Sequence, residues 1–349
     1  MKTEYTIFGE SHGEAIGVVI ENLPSGIEID NDFILREMKR RQAKKGGLTT
    51  PRIESDVPEI LSGVFEGKTT GTPLCAIIIN DNTRSKDYEK DLLRPSHADY
   101  TGNVRYKGFN DYRGGGHFSG RLTAPLVFAG AVAKLILKKK GIYVGTHILQ
   151  TGNVKDDKFD EKMLSKEYFE AIAKKDFAVI NDEKGEEMKA LIQKAREELT
   201  SVGGIIECAV IGMPVGVGSP DKDNLEGVIS KNIFRVPAVK GIEFGLGFGF
   251  ADAYGHEVND EFCINDGKIE TKTNNNGGIL GGISNGMPIV FKTVIKPTPS
   301  IAREQNTVDI SDMTETKIVI KGRHDPCILS RASVVIESAA ALSVLEALK

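Results

Sequence analysis

The chain has 349 residues, of which 40% are hydrophobic and 27% charged, a balance typical of a soluble globular protein. The formal net charge of −4 argues against general nucleic-acid binding, and no apolar run approaches the ~20 residues that span a bilayer. The four cysteines are far apart and form no CxxC pair, so a zinc site is not expected. We predict a cytoplasmic protein with reduced thiols, no metal, and neither a nucleic-acid nor a membrane partner.

The first 80 residues predict strands around one helix. Residues 5–8 and 15–20 are short apolar segments on either side of a glycine loop, and each is expected to be a strand. Residues 30–45 read as an amphipathic helix with a basic end, which the helix dipole alone can explain. A strand followed by a turn is expected over 60–68, and a buried strand over 74–79.

The rest of the chain predicts more helix. Residues 124–138 are rich in alanine and apolar throughout, which indicates a buried helix. Two exposed helices are expected over 158–174 and 186–199, parted near Gly185, and a C-terminal helix over 330–349. Strands are expected at 205–213 and 289–295.

The order of these elements indicates the fold class. Strands and helices do not alternate regularly, which argues against a doubly wound parallel sheet. No repeat and no linker rich in proline, serine or charge divides the chain. We therefore predict an α+β fold, with helices layered on antiparallel sheets, and a single catalytic domain over residues 1–349.

Three of the six histidines lie in polar loops bordered by glycine or proline. They are His12 in Gly-Glu-Ser-His-Gly (9–13), His97 in Arg-Pro-Ser-His-Ala-Asp-Tyr (94–100) and His324 in Gly-Arg-His-Asp-Pro-Cys (322–327). Imidazole titrates nearest to neutral pH, and glycine loops let the backbone approach a ligand closely. These histidines are candidate proton donors or acceptors.

Three further segments are candidates for ligand contact. Residues 111–121 place three glycines between two arginines and before a helix, which suits either a phosphate cradle or a structural turn. Residues 274–286 carry two double glycines that suit a turn or close packing. The Lys-Pro-Thr-Pro-Ser segment at 296–300 ends a strand in a polar loop.

Together these segments resemble the chorismate synthase family. The motifs that carry the resemblance occur in the family's order and span nearly the whole chain: 9–13, 94–100, 112–116, 277–284, 296–298 and 322–327. The resemblance implies a β-α-β sandwich of helices and antiparallel sheets. It also implies a 1,4-elimination of phosphate from 5-enolpyruvylshikimate 3-phosphate that gives chorismate and requires reduced FMN.

The resemblance also implies roles for individual residues. His12 matches the acid at the departing phosphate, His97 the proton donor to the flavin, and Asp325 with Ser11 the proton-accepting pair. Arg41, Arg113 and Arg121 match contacts to the anions of the substrate or of NADP. The positions that match FMN contacts are His117, Phe118, Ser119, Ala238, Gly281, Lys296, Pro297, Thr298, Pro299, Ser300 and Arg323. His324 either acts in the reaction or only shapes its loop.

The chain departs from the common family pattern in two places. Many relatives have arginine and serine where this chain has His117 and Phe118, and a second arginine where it has Gly47. Gly47 weakens any inference of an NADP contact there. The resemblance implies a homotetramer. With no long extra region, we expect a separate flavin reductase, with NADPH as an indirect reductant.

Three other functions fit parts of the pattern. A flavin oxidoreductase could use the same glycine loops, but would consume NADPH with each turnover. A nucleotide-binding regulatory module would hold a phosphate without chemistry. Metal-dependent hydrolysis would need closely spaced ligands, and the scattered histidines form no HExxH-like pair.

Overall fold

Two antiparallel sheets enclose a layer of helices in this protein. The computed structural model describes residues 2–43, 49, 54–81, 88–320 and 325–348. The helices in the described part are α1 Asn31–Arg41, α2 Asp99–Arg105, α3 Thr123–Lys138, α4 Lys166–Ala173, α5 Asp182–Glu197, α6 Leu225–Ile233, α7 Gly255–Val258 and α8 Leu329–Ala347. The strands are β1 Glu4–Gly9, β2 Ala15–Glu21, β3 Glu59–Ser62, β4 Val64–Phe65, β5 Lys68–Thr69, β6 Leu74–Ile79, β7 Tyr143–Thr151, β8 Val154–Lys155, β9 Gly204–Ile211, β10 Val239–Phe244, β11 Phe262–Asn265, β12 Lys268–Thr271, β13 Ile279–Leu280, β14 Ile283–Ser284, β15 Ile289–Ile295, β16 Gln305–Asp309 and β17 Thr314–Ile318.

The two main sheets are antiparallel, as the sequence predicts. One has the strand order β1-β2-β6-β3 and the other the order β10-β15-β9-β7-β8. The remaining strands form two-stranded ladders, β4-β5, β11-β12, β13-β14 and β16-β17. Helix α3 packs on β2 and β6, and α8 packs on β7 and β9, so these two helices lie between the sheets. The expected α+β sandwich is confirmed.

Helix α3 is apolar on all sides because both of its sides are covered. In the described part of the chain, the segment Gly120–Lys138 is long and apolar enough to cross a membrane, with a mean hydropathy of 1.5, but 78% of it is buried inside the fold. It crosses α8 closely: a Cβ added at Gly130 would lie 2.2 Å from Ser338 Cβ. Glycine at position 130 therefore permits this crossing.

Strand β7 is buried on both faces. Thr146 points to the helix layer and bonds Ser333 Oγ of α8 at 2.8 Å. Gly145 points to the opposite face, where a Cβ would lie 2.3 Å from the Phe169 ring of α4. Because side chains alternate along a strand, helices cover both faces of this sheet.

A buried charge cluster joins α1, α3 and α8. Arg40 bonds Glu337 at 2.7 Å and Glu37 at 2.9 Å, and the Lys134 ammonium contacts both carboxylates. Burial opposes ionisation of Glu337, but Arg40 and Lys134 outweigh it and hold the pKa of Glu337 below its usual value. The cluster fixes how the three helices meet.

Several predicted boundaries need correction. Helix α1 ends at Arg41, and part of the predicted end at 44–45 lies outside the described residues. Helix α4 begins only at Lys166, because Ser165 caps it. Helix α5 begins at Asp182 under the Asn181 cap, so Gly185 lies in its first turns, packed near Val179, and does not part the two helices. The sequence interpretation also missed β7, α2 and α6.

Candidate active site

A cavity of about 890 Å³ opens where the loop that carries His97, the glycine turn that contains Gly114 and the N-terminal end of α8 meet. Ligand sites in proteins usually measure roughly 300–1,000 Å³, so this cavity can hold a large cofactor or a cofactor with a substrate. Among the residues that line it are Tyr5, Arg41, Arg94, Ser96, His97, Gly114, His117, Phe118, Ser119, Arg121, Arg235, Ala238, Lys296, Thr298, Pro299, Ser300, Asp325 and Arg331.

The three successive glycines form a left-handed turn beside the cavity. Gly114, Gly115 and Gly116 have φ values of +60°, +83° and +52°, which side chains with a Cβ rarely adopt. The Gly116 carbonyl accepts a hydrogen bond from Ser11 N at 3.1 Å, which ties the turn to the first histidine loop. The Ser11 side chain is buried beside it.

His12 and His97 flank this turn. A Cβ added at Gly114 would lie 2.5 Å from His12 Nε2, and one added at Gly115 would lie 3.2 Å from His97 Nε2. The His12 ring meets Tyr88 edge to face, with the ring centroids 5.4 Å apart. The structure therefore brings the two predicted proton carriers together on one glycine turn.

The loop that carries His97 is organised around a carboxylate. His97 Nδ1 lies 2.6 Å from Asp99 Oδ1. Arg94 donates to Asp99 from its main-chain N, from Nε and from Nη2, at 3.0, 2.8 and 2.7 Å. Burial raises the pKa of Asp99, but hydrogen bonds from His97 and Arg94 outweigh it and hold that pKa far below its usual value.

His117 has a different kind of support. Its Nδ1 lies 2.9 Å from the carbonyl oxygen of Gly9, and because a carbonyl only accepts, Nδ1 carries the proton. Nε2 of the neutral ring is then an acceptor. His117 and the adjacent Phe118 line the cavity beside β1.

Arg41 and Arg121 converge on one buried carboxylate, that of Asp56. Arg41 Nη1 donates to Asp56 Oδ2 at 2.8 Å, and Arg121 Nη1 bonds Asp56 Oδ1. Arg41 also donates to Thr123 Oγ1 at 2.8 Å and to the Gly120 carbonyl at 2.9 Å. Both arginines reach the cavity wall, but many of their donors serve these internal bonds.

Asp325 lies at the N-terminal end of α8 beside Arg331. Arg331 Nη1 donates to Asp325 Oδ2 at 2.8 Å, and its Nε donates to the Arg41 carbonyl at 3.0 Å. Both residues line the cavity. Arg331 thus connects the predicted base to the segment that carries Arg41.

Lys296 joins three segments of the cavity wall. Its main-chain N donates to the Ala238 carbonyl at 2.9 Å, and its Nζ donates to the Ser96 carbonyl at 2.6 Å. Ser96 and Ala238 have φ values of +58° and +71°, which are rare for residues other than glycine. Burial, and then the charge of Lys240, lower the pKa of Lys296.

Several residues in and around the cavity were not predicted from the sequence. Arg235 lies 3.8 Å from the centroid of the Tyr5 ring and donates to the Tyr5 carbonyl at 3.2 Å. No sequence signal points to Arg235, Asp56 or Arg331. Asp99 could have been found, since it follows His97 by two residues in the same motif.

Other predicted residues lie elsewhere. Arg113 is paired with Asp111 at 2.9 Å and does not line the cavity, and Gly281 lies in the β13–β14 turn. Pro297 is also absent from the cavity lining. Arg323 and His324 lie outside the described residues.

The cavity suits a flavin chemically. Phe118, Ala332 and Val335 supply apolar wall, while Lys296 and Arg235 supply positive charge for a phosphate. The fit rests on the volume of the cavity and on the chemistry of the groups that line it.

Comparison with known proteins identifies relatives along the whole chain. A family model described as Chorismate synthase matches residues 3–348. The chorismate synthase of Pyrococcus abyssi is 47% identical over 335 residues, which are 95% of this chain and 92% of that protein. The chorismate synthase of Thermococcus kodakarensis is 44% identical over 98% of this chain and 94% of its own length.

The structural comparison agrees with the sequence comparison. A solved structure described as Crystal Structure of Chorismate Synthase is similar to this chain with a TM-score of 0.78 and 30% identity. The match covers 100% of this chain and 92% of the other.

Proposed function

The chain belongs to the chorismate synthase family, and we propose that it is the lyase that converts 5-enolpyruvylshikimate 3-phosphate to chorismate. Phosphate leaves from the allylic carbon and a hydrogen leaves from the fourth carbon of the same four-carbon unit, so that the net reaction is redox-neutral. This is the last common step on the route to the aromatic amino acids.

One observation supports this function most directly. His12 and His97 flank a glycine turn at a cavity of about 890 Å³ whose wall also carries Asp325 and several arginines. An elimination needs an acid at the leaving group, a base for the departing hydrogen and cations for the anionic substrate. The cavity wall and the adjoining turn supply all three kinds of group.

We assign the acid at the leaving phosphate to His12. Phosphate dianion is a poor leaving group, and one proton lowers the barrier to its departure. The His12 ring lies close against the backbone of Gly114. Backbone atoms, and not another mobile side chain, therefore limit the position of the ring. The substrate phosphate would then lie at the edge of the glycine turn.

We assign proton donation toward the cofactor to His97, and to Asp325 with Ser11 the acceptance of the proton from flavin N5 as the substrate hydrogen departs. His97 faces Gly115 and is held from behind by Asp99. Asp325 is held by Arg331, and the buried Ser11 Oγ has no hydrogen-bond partner within the described structure. An unpaired buried hydroxyl is costly, and a bound ligand would relieve it.

The substrate carries two carboxylates and a phosphate, and we assign their recognition to Arg41, Arg113 and Arg121. Guanidinium groups bind such anions through paired hydrogen bonds. Arg41 and Arg121 are already oriented by Asp56, so little side-chain entropy remains to be lost on binding. Arg113 is more exposed and is paired with Asp111.

We propose that reduced FMN binds in the same cavity, against His117, Phe118, Ser119, Ala238 and the 296–300 segment, with Gly281, Pro297 and Arg323 as further contacts. The cofactor, when bound, supplies the electron chemistry that weakens the allylic C–O bond. Lys296 and Arg235 offer charge to its phosphate, and the apolar wall excludes water from the reacting atoms.

We further propose that residues 1–349 act as one catalytic domain in a cytoplasmic homotetramer. One hydrophobic core that includes residues from Tyr5 to Leu345 supports a single domain. We propose that reduced FMN comes from a separate flavin reductase, with NADPH as its indirect source.

An anaerobic assay tests the function. The protein is mixed with dithionite-reduced FMN and 5-enolpyruvylshikimate 3-phosphate, and chorismate and phosphate are measured together. Equal amounts of both products support the proposal. Absence of both from folded protein, as judged by circular dichroism, rejects it.

A further inference from the structure

We propose that Asp99 is a positioning residue that holds the Nδ1 proton of His97, so that Nε2 is the nitrogen that takes up and releases protons at the glycine turn. The consequence for turnover rests on the proposed function. Which nitrogen of the His97 ring carries the proton does not depend on the proposed function, and it can be measured on the protein alone.

The geometry at Nδ1 carries the proposal. The 2.6 Å distance between His97 Nδ1 and Asp99 Oδ1 is that of a charge-assisted hydrogen bond. Arg94 Nη2 also lies 3.1 Å from His97 Nδ1, but an arginine only donates and so cannot accept the Nδ1 proton. The carboxylate is therefore the partner of that proton.

Arg94 makes the carboxylate a rigid acceptor. It bonds both oxygens of Asp99 through a fork and adds a main-chain N–H, while its guanidinium lies 5.5 Å above the Tyr88 ring centroid. Asp99 and His97 are each only 15% exposed, so solvent does not compete strongly for their contact. Asp99 is thus held ionised and aimed at the ring.

The other nitrogen of His97 faces the reaction side. Nε2 would lie 3.2 Å from a Cβ at Gly115, and the ring lines the cavity. Lys296 reaches this loop from another described segment, since its Nζ donates to the Ser96 carbonyl. The glycine turn presents only backbone there.

A comparison with His117 shows what the Asp99 carboxylate adds to His97. The Nδ1 proton of His117 is held by the neutral carbonyl of Gly9, which orients the ring. Asp99 orients the His97 ring in the same way and places a carboxylate charge beside Nδ1. A histidine that must give up a proton repeatedly benefits from a carboxylate that stabilises the imidazolium between turnovers.

The test that needs neither cofactor nor substrate is ¹⁵N NMR of the histidine-labelled protein at alkaline pH, where neutral rings reveal their tautomer. The His97 signal is assigned by its loss in His97→Gln. We expect the proton on Nδ1 in the natural protein and on Nε2 in Asp99→Asn. A natural protein with the proton on Nε2, or an Asp99→Asn variant that keeps it on Nδ1, overturns the proposal.

A double-mutant cycle tests the link to turnover. Asp99→Asn should lower kcat by roughly 10²–10⁴-fold while the substrate KM changes little. In a His97→Ala background the same change should cost less than about threefold, because the residue it acts through is gone. Equal losses in both backgrounds would assign Asp99 to loop structure alone.

Asp260→Asn is the matched control. Asp260 also orders a loop, since it accepts hydrogen bonds from Thr273, Asn275 and Asn276. Removing its charge should leave the His97 tautomer and kcat unchanged. If the natural protein makes no chorismate, the proposed function fails, while the NMR result still decides the role of Asp99.

Discussion

His12 and Gly114 are in such close contact that a Cβ at position 114 would lie 2.5 Å from His12 Nε2. The glycine turn therefore limits where the imidazole can lie. Because Gly114 also has φ of +60°, two independent constraints select glycine at this position.

Gly114→Ala should lower kcat on the order of 10²-fold, because it displaces the acid from the leaving group. Steady-state kinetics with reduced FMN measure the loss. Gly26→Ala is the control, since Gly26 has φ of +76° but nothing within 4 Å of an added Cβ. It should cost about 1 kcal/mol of stability and leave kcat intact. Equal kcat losses in the two variants would contradict the steric explanation.

His12→Ala should lower kcat by roughly 10²–10⁴-fold, the usual contribution of a general acid. Binding of FMN, followed by the flavin absorbance change on titration, should persist. Lost flavin binding in folded protein would instead assign His12 to the structure of its loop.

Elements whose pattern is local could be predicted from the sequence. Strands β1, β2, β6, β9 and β15 and helices α3 and α8 are continuous in apolar character, and the structure confirms them. Strand β7 was missed because Gly145 and His147 interrupt its apolar run. Both have a reason that only the fold supplies: Gly145 lies under the Phe169 ring, and His147 is held by two carboxylates.

In the site, too, the parts with a local sequence pattern could be predicted and the parts that depend on the fold could not. The histidine loops and the glycine turn could be predicted from short motifs, since each is contiguous. Asp56 could not, because it is 15 residues from Arg41 and 65 from Arg121 and lies in no motif. Its importance depends on three segments that meet only in the folded chain.

Asp56→Asn should reduce the free energy of unfolding by roughly 3–5 kcal/mol, because it leaves two buried guanidinium groups without their shared carboxylate. Asparagine tolerates the φ of +48° at this position, so the change removes charge and little else. Urea unfolding measures the loss in the free energy of unfolding. Glu187→Gln, in an exposed pair with Lys184, should cost about 0–1 kcal/mol. Similar costs for both variants would contradict this account.

His147 should make stability depend on pH. It is fully buried between Asp156 at 3.2 Å and Glu207 at 2.9 Å. Burial lowers the pKa of His147, but its bonds to the two carboxylates outweigh burial and raise it above its usual value. Its contribution is therefore complete below the unfolded value of about 6.5 and is lost as the pH rises through the folded value.

Asp156 acts in the opposite direction. Burial opposes its ionisation, but His147 and two main-chain N–H groups hold the pKa of Asp156 below its usual value. Its contribution is lost as the pH falls through that lowered value.

Unfolding free energies measured from pH 4 to 9 should fall at the alkaline end in the natural protein, and less so in His147→Gln. The exposed His256→Gln is the control, and a curve unchanged by His147→Gln would reject the interpretation.

A redox-neutral elimination in this cavity returns the flavin to its reduced state after each turnover. The most direct measurement is the number of chorismate molecules formed anaerobically per molecule of reduced FMN, with no NADPH present. We expect many turnovers per reduced flavin, with the flavin still reduced at the end. One product or fewer per flavin, with the flavin oxidised in step, would contradict it and indicate a flavin oxidoreductase.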